Sequence, residues 1–388
     1  MEHFIPNLCR YVLALSVLLL GGTANPCMAE SLRHPGILVD ESMLDSTKRL
    51  ISRRDESKMR ALSAALSSPL SSLEYRPSPR EVVDCGPYSR PDFGCSDEVR
   101  DAQAAYTHAL LWAYQGDERH ARKAVQIMDS WADVLSRGHK GSNAPLQASW
   151  AAQLWTRSAE IVRYTSNVWP EARAKRFGAW LLLQYLPDID EMGLCLNGNW
   201  QASAIEARMN IGIYNDRRDI YERAVSEWRE QFPLYVYMAG DGASPLARKG
   251  CEVTTDDLWY GQGVFVSGLA QETCRDLGHT AFALASFTNA AETNWIQGGT
   301  LYVEEGARLG KAMELLTGVS VSGKAPPWLC GGKLKASLDG TLEVGYGHLH
   351  GRLGMALPNT RKWLGLHRPS RGHLHFIWET LTHGVPLR

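Results

Sequence analysis

The sequence predicts a mainly α-helical fold, an incomplete α/α toroid built from antiparallel helix hairpins. Apolar residues recur at three- and four-residue steps over most of the chain, whereas alternating β-branched runs are scarce before its last fifth. The helical patterns come in pairs of about 35–45 residues that short polar turns connect. Because the pairs share no repeated motif, we expect one continuous core rather than an array of sequence repeats.

The first residues have the pattern of an export signal. Arg10 precedes an apolar run over Tyr11–Leu20, which is too short to span a bilayer. Cys27-Met-Ala29 places small residues at the two positions that a signal peptidase reads. We therefore predict a cleaved signal over residues 1–29 and a single toroid domain over residues 30–388. We expect the mature protein to be periplasmic or secreted.

The predicted export changes the meaning of the cysteines, because disulfides persist in oxidising compartments. Two of the eight cysteines lie within the signal, and an even number remains: Cys85, Cys95, Cys195, Cys251, Cys274 and Cys330. Sequence alone does not give the pairing of six cysteines. Cys85 and Cys95 bracket a Gly- and Pro-rich loop, and we predict a disulfide between them. Zinc binding is the alternative, but the chain lacks paired Cys-x-x-Cys spacing.

The first hairpin has clear helix boundaries. Ser96 or Asp97 can cap a helix that Gly116 ends, and Asp117 can cap the next helix, which runs to Leu135. The remaining elements are a polar helix to about residue 66, a loop to residue 94, and helix pairs at 147–165 with 171–186 and 200–214 with 217–230. Beyond Gly318, frequent glycines and prolines predict loops and short strands that close the cleft of the toroid.

The charge of the chain excludes some partners and suggests another. The net charge is −1, so no overall field attracts nucleic acid or a membrane surface. From Val344 to Arg388, however, six Arg or Lys residues accompany one acid, a local charge of +5, and six of the twelve histidines lie there. This segment predicts an anionic partner. We expect no nucleic acid, no membrane contact after signal cleavage, and a monomer.

Arg275 and His279 form the first candidate site. Their four-residue step places both on one helix face, with Gln271 one turn earlier. A guanidinium can clamp a carboxylate, and an imidazole can exchange a proton near neutral pH. The alternative interpretation is a surface ion pair between Arg275 and Asp276 beside a buried structural histidine.

Asn199-Trp200-Gln201, at the start of a predicted helix, is the second candidate site. Trp200 offers a face on which a sugar can stack, and the amides of Asn199 and Gln201 can donate to hydroxyl or carboxylate oxygens. The alternative role for Asn199 is that of a helix N-cap.

Tyr346, His348, His350 and Arg352 form the third candidate site. They alternate along the chain, so in an extended segment all four side chains point the same way. None of them is a good hydrophobe, which makes packing a poor explanation for the set. The alternatives are an ordinary edge strand and a metal site at His348 and His350, although no carboxylate lies nearby in the same phase.

The order and spacing of these motifs resemble the alginate lyase superfamily of α/α-toroid polysaccharide lyases. The motifs that carry the resemblance, which extends over most of residues 34–360, are His34-Pro-Gly, Asn199-Trp-Gln, Arg275-Asp-Leu-Gly-His279, Tyr346-Gly-His348 with Arg352, and Leu357-Pro-Asn-Thr360. The mannuronan-cleaving branch has a histidine directly after the asparagine, where this chain has Trp200. We therefore expect the catalytic histidine to come from elsewhere, and we select His279.

The resemblance implies cleavage of a uronic-acid-containing polymer, with an alginate-like poly-mannuronate favoured. β-Elimination removes the C5 proton of a uronate and expels O4 of the next sugar, so the carboxylate must be neutralised and the developing enolate held. Asn199 can do this with Arg275 or Arg352. His279 or Tyr346 would take the proton, and Tyr346 would return one to O4. This chemistry needs no metal or organic cofactor.

We expect the catalytic residues Asn199, Arg275, His279 and Tyr346 to converge within roughly 10 Å. The residues expected to bind substrate are Trp200, Gln201, Gln271, His348 and Arg352. One alternative function is a glycoside hydrolase on a similar toroid, which needs two carboxylates about 5–10 Å apart. The carboxylates that could form such a pair lie in no distinctive motif: Glu206, Asp256, Asp257, Glu272 and Glu343. The other is an exported polysaccharide-binding protein without catalytic activity.

Overall fold

The structure, a computed structural model, describes residues 31–193, 195–196, 198–338, 342–370 and 372–387. The predicted signal over residues 1–29 and Asn197, which opens the second motif, lie outside the described residues. Within the described part of the chain, no helix has the length and apolar character needed to cross a bilayer. The chain from Leu32 onward forms one compact unit.

Fifteen α-helices account for most of the described residues. They are α1 (Glu41–Ser52), α2 (Glu56–Leu66), α3 (Cys95–Gln115), α4 (Glu118–Val134), α5 (Ala144–Thr165), α6 (Glu171–Gln184), α7 (Leu186–Asp190), α8 (Gly198–Tyr214), α9 (Arg218–Tyr235), α10 (Thr255–Leu258), α11 (Leu277–Ile296), α12 (Leu301–Ser322), α13 (Glu343–Leu349), α14 (Pro358–His367) and α15 (Glu379–His383). Two antiparallel strands, β1 (Gly36–Ile37) and β2 (Val39–Asp40), precede them. A second small sheet has the order β4 (Asp92–Phe93), β3 (Val83–Cys85) and β5 (His139–Lys140).

The helices form the predicted incomplete toroid. Helices α3, α5, α8 and α11 pack side by side as an inner layer, and α4, α6, α9 and α12 follow them as outer partners. The inner helices are buried on all sides, and α8 buries 16 of its 17 residues. Because each outer helix runs back along its inner partner, the inner helices all begin at one rim of the toroid. The residues at this rim are Cys95, Ala144, Gly198 and Leu277.

The helix boundaries of the first hairpin agree with the sequence except at its start. Gly116 ends α3 with a positive φ of 72°, and the Asp117 side chain caps α4 by accepting from the Arg119 amide. The predicted cap at Ser96 or Asp97 is wrong, because α3 already begins at Cys95. Asp92 does the capping from outside the helix, since its carboxylate accepts from both the amide and the hydroxyl of Ser96.

All six cysteines that follow residue 29 form disulfides. The predicted Cys85–Cys95 bond is confirmed. The two bonds that the sequence did not predict are Cys195–Cys251 and Cys274–Cys330. Both hold the long segment between α9 and α11, one to the loop before α8 and the other to the loop after α12. The disulfides therefore fasten the loops at the rim where the inner helices begin.

The predicted short strands beyond Gly318 are wrong. Helix α12 continues to Ser322, and the described residues after it form the predicted loops together with the short helices α13, α14 and α15. The glycines here allow close helix packing instead of ending helices. A Cβ atom on Gly345 would lie 2.9 Å from the sulfur of Met313, and one on Gly347 would lie 2.8 Å from the carbonyl oxygen of His383.

Candidate active site at the rim of the toroid

The first turn of α8 is held by two side chains from the segment before α11. The Gly198 amide donates to Oε1 of Gln271 at 2.9 Å, and the Asn199 amide donates to Oε2 of Glu272 at 2.9 Å. These side chains satisfy amides that have no partner within the helix. Asn199 is thus the second helical residue and not its N-cap. Position 198 requires glycine, because a Cβ there would lie 2.0 Å from the ring of Tyr235.

Glu272 connects Asn199 to Arg275. Its Oε1 accepts from Nδ2 of Asn199 at 2.6 Å and from Nη1 of Arg275 at 2.8 Å. The glutamate is fully buried. Burial raises the pKa of Glu272 to about 7, although Arg275 and the hydrogen bonds from Asn199 oppose the rise. Asn199 is equally buried, whereas the side chain of Arg275 is 21% exposed and reaches the surface of the rim.

His279 lies in the first turn of α11, and Asp276 orients it. Oδ1 of Asp276 accepts from the His279 amide at 2.8 Å and thereby caps the helix, while Oδ2 lies 2.7 Å from Nδ1 of the ring. With a proton on Nδ1, Nε2 is the nitrogen that can accept one. Burial and the charge of Arg275 lower the pKa of His279, so the ring is neutral near pH 7. We refer to Asn199, Glu272, Arg275 and His279 as the rim site.

Two tyrosines that were not selected from the sequence contact Arg275. Tyr260 and Tyr88 both lie close enough to the guanidinium to interact with it, and the Tyr88 ring lies 6.5 Å from that of His279. Both tyrosines have positive φ angles, 54° and 53°. Burial raises the pKa of Tyr260. The only sequence signal for Tyr88 was its place in the loop between Cys85 and Cys95, and Tyr260 had none.

The predicted helix face with Gln271, Arg275 and His279 is wrong in its geometry. Residues 271–276 form turns, and α11 begins only at Leu277. The Asp276 cap and the hydrogen bond from the Leu277 amide to the carbonyl of Lys335 fix this start. The alternative ion pair between Arg275 and Asp276 is also not formed, because Arg275 pairs with Glu272.

The amide side chains of the first two motifs have structural partners. Gln271 is 3% exposed and holds the Gly198 amide, and Nε2 of Gln201 donates to the carbonyl of Gly193 at 2.5 Å. Trp200 is half-buried at the start of α8. Binding of substrate by these three residues stays a prediction, and only Trp200 has substantial exposed surface.

The predicted extended segment from Tyr346 to Arg352 is wrong, because these residues belong to α13 and the turn after it. Tyr346 is fully buried against the ring of His350, and its hydroxyl has no hydrogen-bond partner in the described part of the chain. A Cβ on the adjacent Gly345 would lie 3.2 Å from Thr288. Thr288 follows His279 by nine residues of α11, about 14 Å along the helix. Tyr346 therefore does not converge with the rim site.

His348 and Arg352 also lie away from the rim site. Nδ1 of His348 lies 2.9 Å from Oε2 of Glu292, and Nη1 of Arg352 donates to Oε1 of the same carboxylate at 2.5 Å. Glu292 follows His279 by 13 residues, about 20 Å along α11. We refer to Glu292, His348 and Arg352 as the Glu292 cluster. His348 and Arg352 both bind a buried carboxylate of the protein, which explains their polar pattern without a substrate.

Comparison with known families shows which family the chain belongs to. A family model described as "Alginate lyase" matches residues 92–325, more than half of the chain. The chain belongs to the alginate lyase family. It is therefore a polysaccharide lyase, as the resemblance implied, and the matched region contains every residue of the rim site. By contrast, no curated protein matches the sequence.

Solved alginate lyases share the fold. Alginate lyase A1-III from Sphingomonas species A1 is 16% identical with a TM-score of 0.59, and the match covers 83% of this chain and 91% of that one. A variant of alginate lyase A1-III in complex with a tetrasaccharide is 18% identical with a TM-score of 0.61, covering 84% and 89%. An alginate lyase from Bacteroides ovatus is 14% identical with a TM-score of 0.51, covering 74% and 84%. These matches confirm the toroid.

Proposed function

We propose that this alginate lyase family member cleaves an alginate-like uronan, with poly-mannuronate favoured, by β-elimination at the rim site. The observation that carries the proposal is the pairing of a carboxylate-binding cation with an oriented, neutral imidazole. Arg275 is partly exposed while Glu272 holds its inner edge, and His279 presents Nε2 because Asp276 binds Nδ1. A uronate bound by the outer N–H groups of Arg275 would bring its C5 proton toward His279.

The reaction divides between three side chains. Arg275 neutralises the uronate carboxylate and holds the negative charge that spreads onto it when C5 loses its proton. Nε2 of His279 takes that proton. The electron pair left by the C5 proton then forms the C4=C5 double bond. The C4–O4 bond breaks, and O4 leaves with the electrons of that bond and must receive a proton. Tyr260 is suited to supply it, because its raised pKa keeps the hydroxyl protonated and the hydroxyl lies beside Arg275.

Asn199 and Glu272 act through Arg275 in this proposal. Both are fully buried, so neither presents a polar atom to a polymer in the cleft. Asn199 holds Glu272 through two hydrogen bonds, and Glu272 fixes the guanidinium. They are positioning residues. Tyr260 takes the place that the sequence suggested for Tyr346, whose hydroxyl is buried.

A panel of uronans tests the proposal. The purified protein is incubated with poly-mannuronate, poly-guluronate, glucuronan and a glycosaminoglycan, and the ultraviolet absorbance of the new C4=C5 double bond is followed. We expect the largest rate with poly-mannuronate. New reducing ends without the double bond would favour the hydrolase alternative, and binding without turnover would favour a binding protein. The distribution of product lengths distinguishes endo from exo cleavage.

We also propose that the protein acts in an oxidising compartment, the periplasm or the extracellular space. Three disulfides support this, because such bonds persist where thiols are not kept reduced. The apolar run over Tyr11–Leu20 supports export by a cleaved signal. N-terminal sequencing of the protein recovered from cell fractions would test both statements, with a start near residue 30 expected.

A further inference from the structure

A cavity of about 750 Å³ lies near the rim site, between α2, the loop after α12 and the segment that joins α14 to α15. Its walls include Ala64, Ser337, His367, His373 and Trp378. Sites for small ligands typically have volumes of about 300–1,000 Å³. The cavity is therefore large enough for one or more sugar residues, and neither the reaction chemistry nor the rim site uses it.

Aromatic contacts connect the cavity to the proposed base. The ring of His279 lies 5.7 Å from that of Phe282, which is one turn further along α11. On its other side, Phe282 stacks on His373 at 5.2 Å. Because His373 is part of the cavity wall, the Phe282 ring links that wall to His279 through direct ring contacts.

The loop after α12 places two lysines on the surface between the rim site and the cavity. The carbonyl of Lys335 accepts from the Leu277 amide at 2.9 Å, so the loop at Lys335 lies against the first turn of α11. A Cβ on Gly278 would lie 3.9 Å from Cβ of Ala336, which confirms the contact. Lys333 and Lys335 are exposed, and Ser337 is part of the cavity wall. A polyanion that leaves the rim site in this direction would pass two cations on its way.

The polar groups in the cavity wall suit a carbohydrate. The indole N–H of Trp378 already donates to Thr107 at 2.8 Å. A ligand would therefore contact this half-buried side chain through its ring face. Nδ1 of His367 lies 2.7 Å from the carbonyl of Trp363, which leaves Nε2 for another partner. Arg368 is paired with Glu343 at 2.6 Å and adds little net charge. An aromatic face beside an imidazole is the kind of surface on which a sugar ring can stack and form hydrogen bonds.

We propose that this cavity is a distal subsite of the uronan-binding cleft, which holds sugar residues of the same chain beyond the linkage that is cleaved. The proposal rests on the proposed function. It predicts that long substrates gain affinity from the cavity, whereas the shortest cleavable oligosaccharide does not reach it.

Filling the cavity tests the proposal. Ala64→Trp places a large ring in the wall contributed by α2, and Ser337→Trp does the same from the exposed loop. Ala113→Trp is the matched control, since Ala113 lies in the wall of a different cavity of about 510 Å³ beside α1 and α5. Steady-state kinetics are measured on the polymer and on the shortest oligosaccharide that the unmodified protein cleaves. Thermal unfolding of each variant shows that the fold is intact.

We expect Ala64→Trp and Ser337→Trp to raise KM for the polymer at least about 10-fold, with KM and kcat for the short substrate within about 2-fold and the control unchanged. The subsite is refuted if a folded filling variant cleaves polymer and short substrate with unchanged constants. It is equally refuted if KM rises alike for both substrates. Failure of the proposed function is a separate result, in which the unmodified protein forms no unsaturated product from any uronan.

Discussion

The two ends of α11 hold the same three side-chain types in different arrangements. At its start, Glu272 is paired with Arg275, and His279 is bound to Asp276 instead of the glutamate. Toward its other end, His348 and Arg352 of the Glu292 cluster both bind the one glutamate. Both glutamates are fully buried. The arrangement, and not the residue types, decides what each group can do.

The pKa values of the two carboxylates are shifted in opposite directions. One cation does not offset the burial of Glu272, so its pKa rises to about 7. Burial alone would also raise the pKa of Glu292, but the hydrogen bond from His348 and the charges of His383 and Arg352 lower it below its ordinary value. At the Glu292 cluster the histidine side chain is fully buried, so its second ring nitrogen does not reach a substrate. At the rim site the histidine side chain is 18% exposed, which leaves Nε2 available for chemistry.

The largest expected effect comes from removing that available histidine. His279→Ala should lower kcat by about 10²–10⁴-fold, the usual contribution of a general acid or base, because Nε2 is the proposed acceptor of the C5 proton. His348→Ala is the matched variant at the other end of the helix. It should leave kcat within a few-fold of the unmodified protein while lowering the midpoint of thermal unfolding. Equal losses of kcat in the two variants would contradict the contrast between the two ends.

Tyr260 and Tyr346 offer a second comparison of the same kind. Tyr260→Phe should lower kcat by about 10²-fold or more, because the hydroxyl beside Arg275 is the proposed proton donor to O4. Tyr346→Phe should keep most of the activity, since the buried hydroxyl has no polar partner among the described residues. Rates on poly-mannuronate, or on the best substrate of the panel, provide the measurement. A large loss in Tyr346→Phe with Tyr260→Phe unaffected would restore the assignment made from the sequence.

These comparisons show what the sequence could and could not predict. The toroid and its hairpins followed from helical periodicity and from local caps such as Gly116 and Asp117, because those signals lie within the elements that they describe. Arg275 and His279 could be proposed from the sequence because they share one short motif. Tyr260 could not be proposed from it, because its place beside Arg275 depends on a long segment that two disulfides fasten.

The error at Tyr346 has a different physical cause. Alternating polar residues with glycines between them match the period of a strand, and the sequence does not reveal that Gly345 and Gly347 serve close helix packing. In a helix, His348 and Arg352 are four residues apart and share a face. That face meets Glu292, which lies 56 residues before His348 in the chain. Only the fold brings these residues together.

Arg352 provides a smaller test, of stability rather than activity. Arg352→Ala removes the guanidinium that pairs with the buried carboxylate of Glu292, which should lower the free energy of unfolding by about 1–3 kcal/mol. The value of kcat should change less than a few-fold, because the cluster lies about 20 Å along α11 from His279. Chemical denaturation and kinetics of the same preparation provide both values. A loss of kcat without a loss of stability would return Arg352 to the substrate-binding residues.

The smallest expected effect, and the most specific, is an opposite pH dependence of the two glutamates. The folded pKa of Glu272 is raised from 4.5 to about 7, so between these values the folded state binds more protons than the unfolded state, and stability falls as pH rises. The folded pKa of Glu292 lies below 4.5, so its contribution is present above pH 4.5 and is lost as pH falls through the folded value. Glu272→Gln should therefore reduce the loss of stability between pH 4.5 and pH 7, and Glu292→Gln should reduce the loss of stability on acidification below pH 4.5. Denaturation midpoints measured across this range test both signs. If the two variants change the pH dependence in the same direction, the two ends of α11 do not differ in the way their hydrogen bonds indicate.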